Sequence, residues 1–279
     1  LASLKCPKFL TSMLMDYLLY LGLGAVAGLI SGLFGLGGGV VIVPILILSF
    51  ELQGMAPEIS THVAIGTSLA TILVTSLSSI YTHHQKQAIR WDLVKSITPG
   101  IVLGALLGGF VALALKGTLL QLLFGGFLVV IALQMLFYKP VTGEGSSPAG
   151  LLLGVAGTAI GSLSTLFGIG GGSLTTPFLT FNGVKIHHAV GSAAACGFPI
   201  ALAATVVYGS ATIPAEHLPA ATLGYIFLPA WLGIVVVSTP CARLGALLAH
   251  RTDAVLLQKL FGILLLLLGG RFMWLNLPH

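Results

Sequence analysis

The chain has 279 residues, of which 56% are hydrophobic and only 7% are charged, and its mean hydropathy is +1.06. These values exclude an ordinary soluble domain and indicate a polytopic membrane protein. The formal net charge of +5 does not indicate a nucleic-acid partner, because the basic residues are scattered among segment ends instead of clustering on one face.

Apolar segments long enough to cross a membrane recur along the chain. Roughly 18 or more apolar residues are needed to cross about 30 Å of hydrocarbon. In chain order, about eight segments qualify: 17–34, 61–82, 96–115, 118–138, 149–167, 187–208, 220–240 and 253–275. Two shorter apolar pieces, 40–50 and 173–181, reach only about halfway across at 1.5 Å per residue. The predicted fold class is therefore an all-α polytopic membrane protein.

A glycine-rich motif precedes each short piece. The first copy reads FGLGGG over residues 34–39, with Pro44 five residues later, and the second reads FGIGGG over residues 167–172, with Pro177 five residues later. Each motif interrupts an apolar segment, which indicates a broken or re-entrant helix. We expect each proline in the first turn of the new helix, where its missing N–H would have no partner.

Other landmarks repeat in the same order. Residues 61–68 (THVAIGTS) resemble residues 186–193 (IHHAVGSA), and LLQLLFG at 119–125 matches LLQKLFG at 256–262 with one mismatch. These repeats predict two homologous halves, 1–140 and 149–279, joined by a linker at 141–148.

The distribution of positive charge suggests how the halves are oriented. If each broken segment turns back as a hairpin, the second half is inverted relative to the first, and most Lys and Arg residues lie in the cytoplasm, as the positive-inside rule requires. The cytoplasmic loops are then 83–95, 139–148, 182–187 and 241–252. We therefore expect inverted repeats.

Each glycine motif is expected to line a polar cavity, because non-helical backbone in hydrocarbon leaves amide groups without partners. The helix that follows directs free N–H groups and its positive dipole end back toward the glycines. Such ends favour an anion, and hydroxyl groups can hold an oxyanion without a countercharge. The residues expected to bind it are Gly35, Gly37, Gly38, Gly39, Thr67, Ser68, Gly168, Gly170, Gly171, Gly172, Ser173 and Ser192, with Ser31, Ser162 and Ser164 beside the breaks.

Three histidines begin the helices that carry these hydroxyls. His62, His187 and His188 are candidates for coupling proton or anion movement. The simpler interpretation is that they are solvated at the membrane surface. A cation or metal transporter that uses these histidines is the alternative function, and the lack of Asp or Glu well inside a segment weighs against it.

Several other functions lack their sequence signatures. Glycines spaced by three or four residues, as at Gly24, Gly28 and Gly157, are typical of close helix packing. A dinucleotide fingerprint fails because its sixth position is Val40 or Ser173. Neither a phosphate-binding GxxxxGK[ST] loop nor HExxH occurs, so we expect no enzyme, no cofactor and no metal site.

The duplicated motif, together with HVAIGT at 62–67 and its counterpart at 187–192, resembles the sulfite exporter TauE/SafE family over essentially the whole chain. The resemblance implies a secondary transporter or facilitator of small sulfur-containing oxyanions, such as sulfite and organosulfonates, in the bacterial inner membrane. The implied partners are that anion and the lipid bilayer, with a homo-oligomer left open. The family commonly reads Gly-Thr-Ser in both halves, whereas the second half here has Ser192 and Ala193, which predicts unequal contributions to the site.

Overall fold

The computed structural model describes residues 17–30, 39–137, 150–212, 221–249 and 254–276, and these are almost entirely helical. The helices are α1 (Tyr17–Ile30), α2 (Gly39–Leu52), α3 (Pro57–Gln85), α4 (Trp91–Ala114), α5 (Gly117–Phe137), α6 (Leu151–Leu166), α7 (Gly172–Phe181), α8 (Ile186–Gly209), α9 (Leu228–Ala249) and α10 (Ala254–Asn276). A two-stranded antiparallel sheet, β1 (Thr222–Leu223) and β2 (Ile226–Phe227), precedes α9.

Five of the described helices, α3, α4, α5, α8 and α10, are long and apolar enough to cross a membrane by length and composition. This confirms the prediction of an α-helical polytopic membrane protein. The predicted linker at 141–148 lies outside the described residues, as do Gly35, Gly37 and Gly38.

The predicted segment at 220–240 and the loop predicted at 241–252 have wrong boundaries. The helix α9 begins only at Leu228 and continues to Ala249. Before it, Gly224 has a φ of +55°, and the Tyr225 N–H donates to the Tyr208 carbonyl at 2.9 Å. The chain folds back against the end of α8 before α9 starts, and a pattern of apolar residues does not reveal such a tertiary contact.

The two short apolar pieces form the short helices α2 and α7, of 14 and 10 residues. The prolines were expected in the first turn of each helix, and this prediction is wrong. Each proline is the sixth residue of its helix, where another residue's N–H would bond to the carbonyl four residues earlier. Two residues after the end of each helix lies a glycine with positive φ, Gly54 at +82° and Gly183 at +84°. The amide after each glycine closes the turn, with bonds of 2.9 and 3.0 Å.

Small residues bring pairs of helices from the two halves into close parallel contact. A Cβ atom on Gly100, Gly104 or Gly108 of α4 would collide with the backbone of α6 at positions 154, 158 and 162, so the two helices run in the same direction. A Cβ on Gly24 or Gly28 of α1 would likewise collide with α9, at Ile234 and Ser238. The packing role predicted for Gly24, Gly28 and Gly157 is confirmed, and Gly100, Gly104 and Gly108 have the same role.

Two other pairs run antiparallel. Gly66, near the start of α3, packs on Tyr208 at the end of α8. In the second pair, Gly125 near the start of α5 packs on Phe272 near the end of α10. In each pair the two helices carry matching stretches of the sequence repeat, 61–68 with 186–193 in α3 and α8, and 119–125 with 256–262 in α5 and α10.

A polar network ties the end of α2 to α5 and α10. The buried Gln121 donates to the Glu51 carboxylate at 2.8 Å and accepts from Asn276 at 2.9 Å. Arg271 lies 3.5 Å from the same carboxylate. Polar contacts thus hold the C-terminal end of the short helix α2, and apolar side chains along the rest of it, such as Val43 and Leu46, are fully buried.

Candidate functional site

The second glycine motif forms a genuine break between two helices. The helix α6 ends at Leu166 and α7 begins at Gly172. Between them Gly168 has a φ of +67°, a conformation that side chains with a Cβ rarely adopt. The Ile169 N–H donates back to the Ser164 carbonyl at 2.8 Å, which closes the end of α6. The break is buried, so its backbone amides face protein and not lipid.

The start of α2 reaches this second break. A Cβ atom on Gly39 would lie 2.6 Å from the Gly168 carbonyl oxygen and 2.9 Å from Cα of Ile169. The same carbonyl accepts a 2.9 Å hydrogen bond from the buried Ser68 hydroxyl. Because Gly39 is the first residue of α2, the N-terminal end of one short helix lies against the break that begins the other.

Buried hydroxyl groups without partners flank the break on both sides. Ser164 and Thr165 belong to the last turn of α6, and Thr175 is the fourth residue of α7. All three side chains are fully buried, and their oxygens have no hydrogen-bond partner among the described residues. A buried hydroxyl without a partner is costly, so such groups are expected where a ligand completes them. Sequence reasoning found Ser164 but missed Thr165 and Thr175, whose only signal was proximity to the glycines.

The remaining glycines of the second motif line the same region. Gly170, Gly171 and Gly172 are all buried or nearly so. A Cβ atom on Gly171 would lie 3.1 Å from the Gly197 nitrogen and 3.3 Å from the Ala193 carbonyl oxygen, both on α8. Ser173, in the first turn of α7, is also buried. The N-terminal end of α7 therefore packs directly on α8.

Two predicted hydroxyls instead hold loops that cross from the other half of the chain. The Thr67 hydroxyl accepts a 3.0 Å hydrogen bond from the Phe227 N–H, and the Ser192 hydroxyl accepts one of 3.0 Å from the Arg90 N–H. We call residues 86–90 the first crossing loop and residues 221–227 the second crossing loop. Both hydroxyls are fully buried. Thr67 fixes the second crossing loop, which leads into α9, and Ser192 fixes the first crossing loop, which leads into α4. Ser162, expected beside the break, likewise donates to the Gly104 carbonyl and serves packing.

The three candidate histidines do not converge. Nε2 of His62 contacts the Ala112 carbonyl near the end of α4, whereas Nδ1 of His188 contacts the Ala88 carbonyl just before α4 begins. Since α4 has 24 residues, these positions are separated by about 36 Å at 1.5 Å per residue. His187 is exposed and its ring lies 4.2 Å from that of His188. Among the described residues, no group of three His, Cys, Asp or Glu side chains is placed to hold a metal ion.

The electrostatics of the break favour negative charge. The first turn of α7 contributes free N–H groups and the positive end of the helix dipole. It contains no acidic residue. The described acidic residues of the first half, Glu51, Glu58 and Asp92, lie near the ends of α2, α3 and α4. The arrangement can bind an oxyanion through amides and hydroxyls without a positively charged side chain.

A family model and curated relatives both match most of the chain. A family model described as "Sulfite exporter TauE/SafE" matches residues 20–272. A "probable membrane transporter protein" of Haemophilus influenzae is 34% identical over 255 residues, which cover 90% of this chain and 96% of that protein. Another of Methanocaldococcus jannaschii is 31% identical over 231 residues, covering 80% and 79%. No solved structure matches. The chain therefore belongs to the sulfite exporter TauE/SafE family of multi-pass membrane transporters.

Proposed function

We propose that the chain is a secondary transporter or facilitator that carries small sulfur-containing oxyanions, sulfite or organosulfonates, across a bacterial inner membrane. The family description supports sulfite as the first substrate to test. Transport and not catalysis is the role that the family supports.

One observation carries the assignment of the site. The N-terminal end of α2 abuts the break that begins α7, and three fully buried hydroxyls, which have no partner among the described residues, flank that break. The ionised oxygens of an oxyanion accept hydrogen bonds, so it would use the hydroxyls of Ser164, Thr165 and Thr175 and the first amides of α7 as donors. The proposed site thus keeps the second glycine motif and adds Thr165 and Thr175 to it.

The proposal includes two inverted repeats that move against each other. It is supported by the antiparallel pairing of α3 with α8 and of α5 with α10, since counterparts in inverted repeats must point in opposite directions. The crossing loops supply equivalent contacts between the halves at Thr67 and Ser192. Rocking of one half against the other would then expose the central site alternately to each side.

The alternative of a metal transporter is less well supported. It requires His62, His187 and His188 to act together, and His62 and His188 contact opposite ends of α4. Metal sites in proteins need ligands within about 2–2.5 Å of one ion. Sulfite transport is therefore the first function to measure.

The test is uptake of radiolabelled sulfite into proteoliposomes by wild type, Thr175→Val and Thr165→Val. Loss of one hydrogen bond to a charged ligand corresponds to about 1.5–3 kcal/mol, so we expect each variant to lower the sulfite transport efficiency by about 10- to 100-fold. Neither variant should unfold the protein, because valine removes a buried hydroxyl that bonds to no other group in the described part of the chain.

The matched control is Thr180→Val, on the same helix, whose hydroxyl bonds to the Thr176 carbonyl at 2.7 Å. It should retain wild-type transport. Wild-type sulfite transport by both Thr175→Val and Thr165→Val would contradict the site, and no sulfite or sulfonate transport by the wild type would contradict the function.

A further inference from the structure

His62 is the one candidate histidine in the described residues that is almost completely buried, with a relative exposure of 4%. It joins three elements. Nδ1 lies 3.1 Å from the Glu58 carbonyl on α3, Nε2 lies 3.0 Å from the Ala112 carbonyl on α4, and the ring lies 5.1 Å from the ring of Tyr225 in the second crossing loop. We propose that His62 is a proton-binding site whose occupied, doubly protonated form locks these three elements together.

The two carbonyl contacts of the His62 ring require two N–H donors. A backbone carbonyl can only accept, so each ring nitrogen of His62 must donate to make its contact. A neutral imidazole carries one N–H and can satisfy only one of the two carbonyls. The imidazolium ion carries two and satisfies both. The geometry around the ring therefore matches the protonated form.

The electrostatic surroundings also favour a positive charge at this position. Ala112 lies in the last turn of α4, at the negative end of the helix dipole, and that turn contains no basic residue. The Glu58 side chain is one helical turn before His62 on the same face of α3. The Tyr225 ring is within the range of about 6 Å at which an aromatic face attracts a cation.

Other groups around the ring oppose or do not affect the charge. Lys116 follows α4 and is the nearest described basic residue along the chain to Ala112. The Tyr208 side chain on α8 packs with Tyr225 at a ring distance of 6.3 Å and is neutral. Burial itself disfavours a charged ring, so the two carbonyls, the helix end and Tyr225 must together offset that cost.

The proton would act on the contact between the halves. His62 and Ala112 belong to the first half, and Tyr225 belongs to the second. Loss of the proton removes one of two hydrogen bonds and the attraction to the Tyr225 ring, which loosens the second crossing loop at this end of the molecule. The counterpart position in the second half, His187, is exposed and lacks this arrangement. Proton binding at one end only would make transport depend on pH, and this consequence rests on the proposed function.

Nitrogen-15 NMR of histidine-labelled protein in lipid nanodiscs tests the proton site without any transport measurement. The His62 signal is identified as the one that is lost in His62→Gln. If that variant does not fold, the His62 signal is identified instead as the one that remains when the other seven of the eight histidines are replaced by glutamine. We expect both His62 nitrogens to carry a proton, because each lies against a carbonyl oxygen and must donate to make its contact. A neutral single tautomer at every pH at which the protein is folded would overturn the proposal.

Transport of sulfite at different pH values tests the consequence. Because sulfite itself takes up a proton in this range, the measurement is the ratio of variant to wild-type flux at each pH. For His62→Gln we expect this ratio to vary with pH, by no more than about ten-fold per pH unit, which is the limit for one coupled proton. For the control His187→Gln the ratio should stay constant.

The outcomes separate the two proposals. A constant ratio for His62→Gln, with a protonated His62 in the NMR experiment, would overturn the link between the proton and transport. An absence of wild-type flux at every pH would contradict the proposed function alone, while the NMR result would still decide the proton site.

Discussion

The two crossing loops share a backbone design but differ in their side chains. In both, an N–H of the loop donates to a buried hydroxyl at 3.0 Å, and the residue before that hydroxyl is a glycine against which the loop backbone packs. Both loops also contain a residue with positive φ, Gln87 at +53° and Gly224 at +55°. The shared features are those that a close approach of two backbones requires.

The differences lie in what each loop presents to its surroundings. The first crossing loop carries exposed polar residues, and Arg90 forms an ion pair with Asp92 at 2.6 Å. The second forms a small β-hairpin whose aromatic residues Tyr225 and Phe227 pack against His62, Phe50 and Tyr20. The hydrogen-bonded anchor is therefore common to both halves. The two loops differ in their side chains, since the polar side chains of the first crossing loop are exposed to solvent and the aromatic side chains of the second pack against the opposite half.

The largest effect is expected from removing the glycine under each loop. A Cβ on Gly66 would lie 2.6 Å from the Tyr225 carbonyl oxygen, and one on Gly191 would lie 2.6 Å from the Ala88 carbonyl oxygen. We expect Gly66→Ala and Gly191→Ala each to cost about 1–3 kcal/mol or more, because backbone must move in a packed interior. Thermal unfolding in detergent should show a lower Tm for both.

The matched control for these variants is Gly126→Ala on α5, where an added Cβ meets nothing within 4 Å. A Tm equal to that of wild type is expected for the control. Unchanged Tm values for Gly66→Ala and Gly191→Ala would show that the two loops are not anchored by close backbone contact.

A smaller effect is expected from the two hydroxyl anchors. Thr67→Val and Ser192→Ala each remove the acceptor of one loop N–H from a fully buried position. An amide left without its partner costs about 1–3 kcal/mol, so both variants should destabilise the protein by similar amounts. Equal Tm losses would support equivalent anchors. A loss confined to Thr67→Val would show that water replaces the hydroxyl at the first crossing loop.

The smallest effect is expected from the ion pair that distinguishes the first loop. Hydrogen bonding to Asp92 raises the pKa of Arg90 above its ordinary value, so the guanidinium stays charged at all accessible pH values. Both side chains are nonetheless largely exposed, at 40% and 59%. Asp92→Asn should therefore change stability by less than about 1 kcal/mol, and salt should remove the difference. A larger Tm loss that persists at high salt would contradict this view of the pair.

Sequence patterns predicted the helices better than their ends. The short helices after the glycine motifs follow from length alone, because too few apolar residues lie between Gly39 and Glu51 to cross the membrane. The spaced glycines of α4 and α6 are also visible in the sequence as packing residues. The start of α9 was not visible, because the preceding residues are as apolar as the helix itself, and the hairpin that they form depends on contacts with α3 and α8, at Gly66, Thr67 and Tyr208.

The candidate site could be predicted only in part. The glycines of the second motif were evident from their repetition, and Gly168 has the positive φ that favours glycine. The roles of Thr67 and Ser192 were not evident, because their partners lie 160 and 102 residues away along the chain. Thr165 and Thr175 escaped notice for a related reason, since whether a hydroxyl bonds to its own helix or stays unpaired is set by rotamer and packing.

The sequence by itself determined that this is a helical membrane protein with a duplicated glycine motif, because hydrophobic length and repetition are local properties of the chain. Only the tertiary structure decided that the start of α2 meets the second break, that two hydroxyls anchor crossing loops and that His62 is buried between carbonyls. These features depend on backbone approach between distant segments. Such an approach is fixed by the packing of whole helices, which no single stretch of sequence encodes.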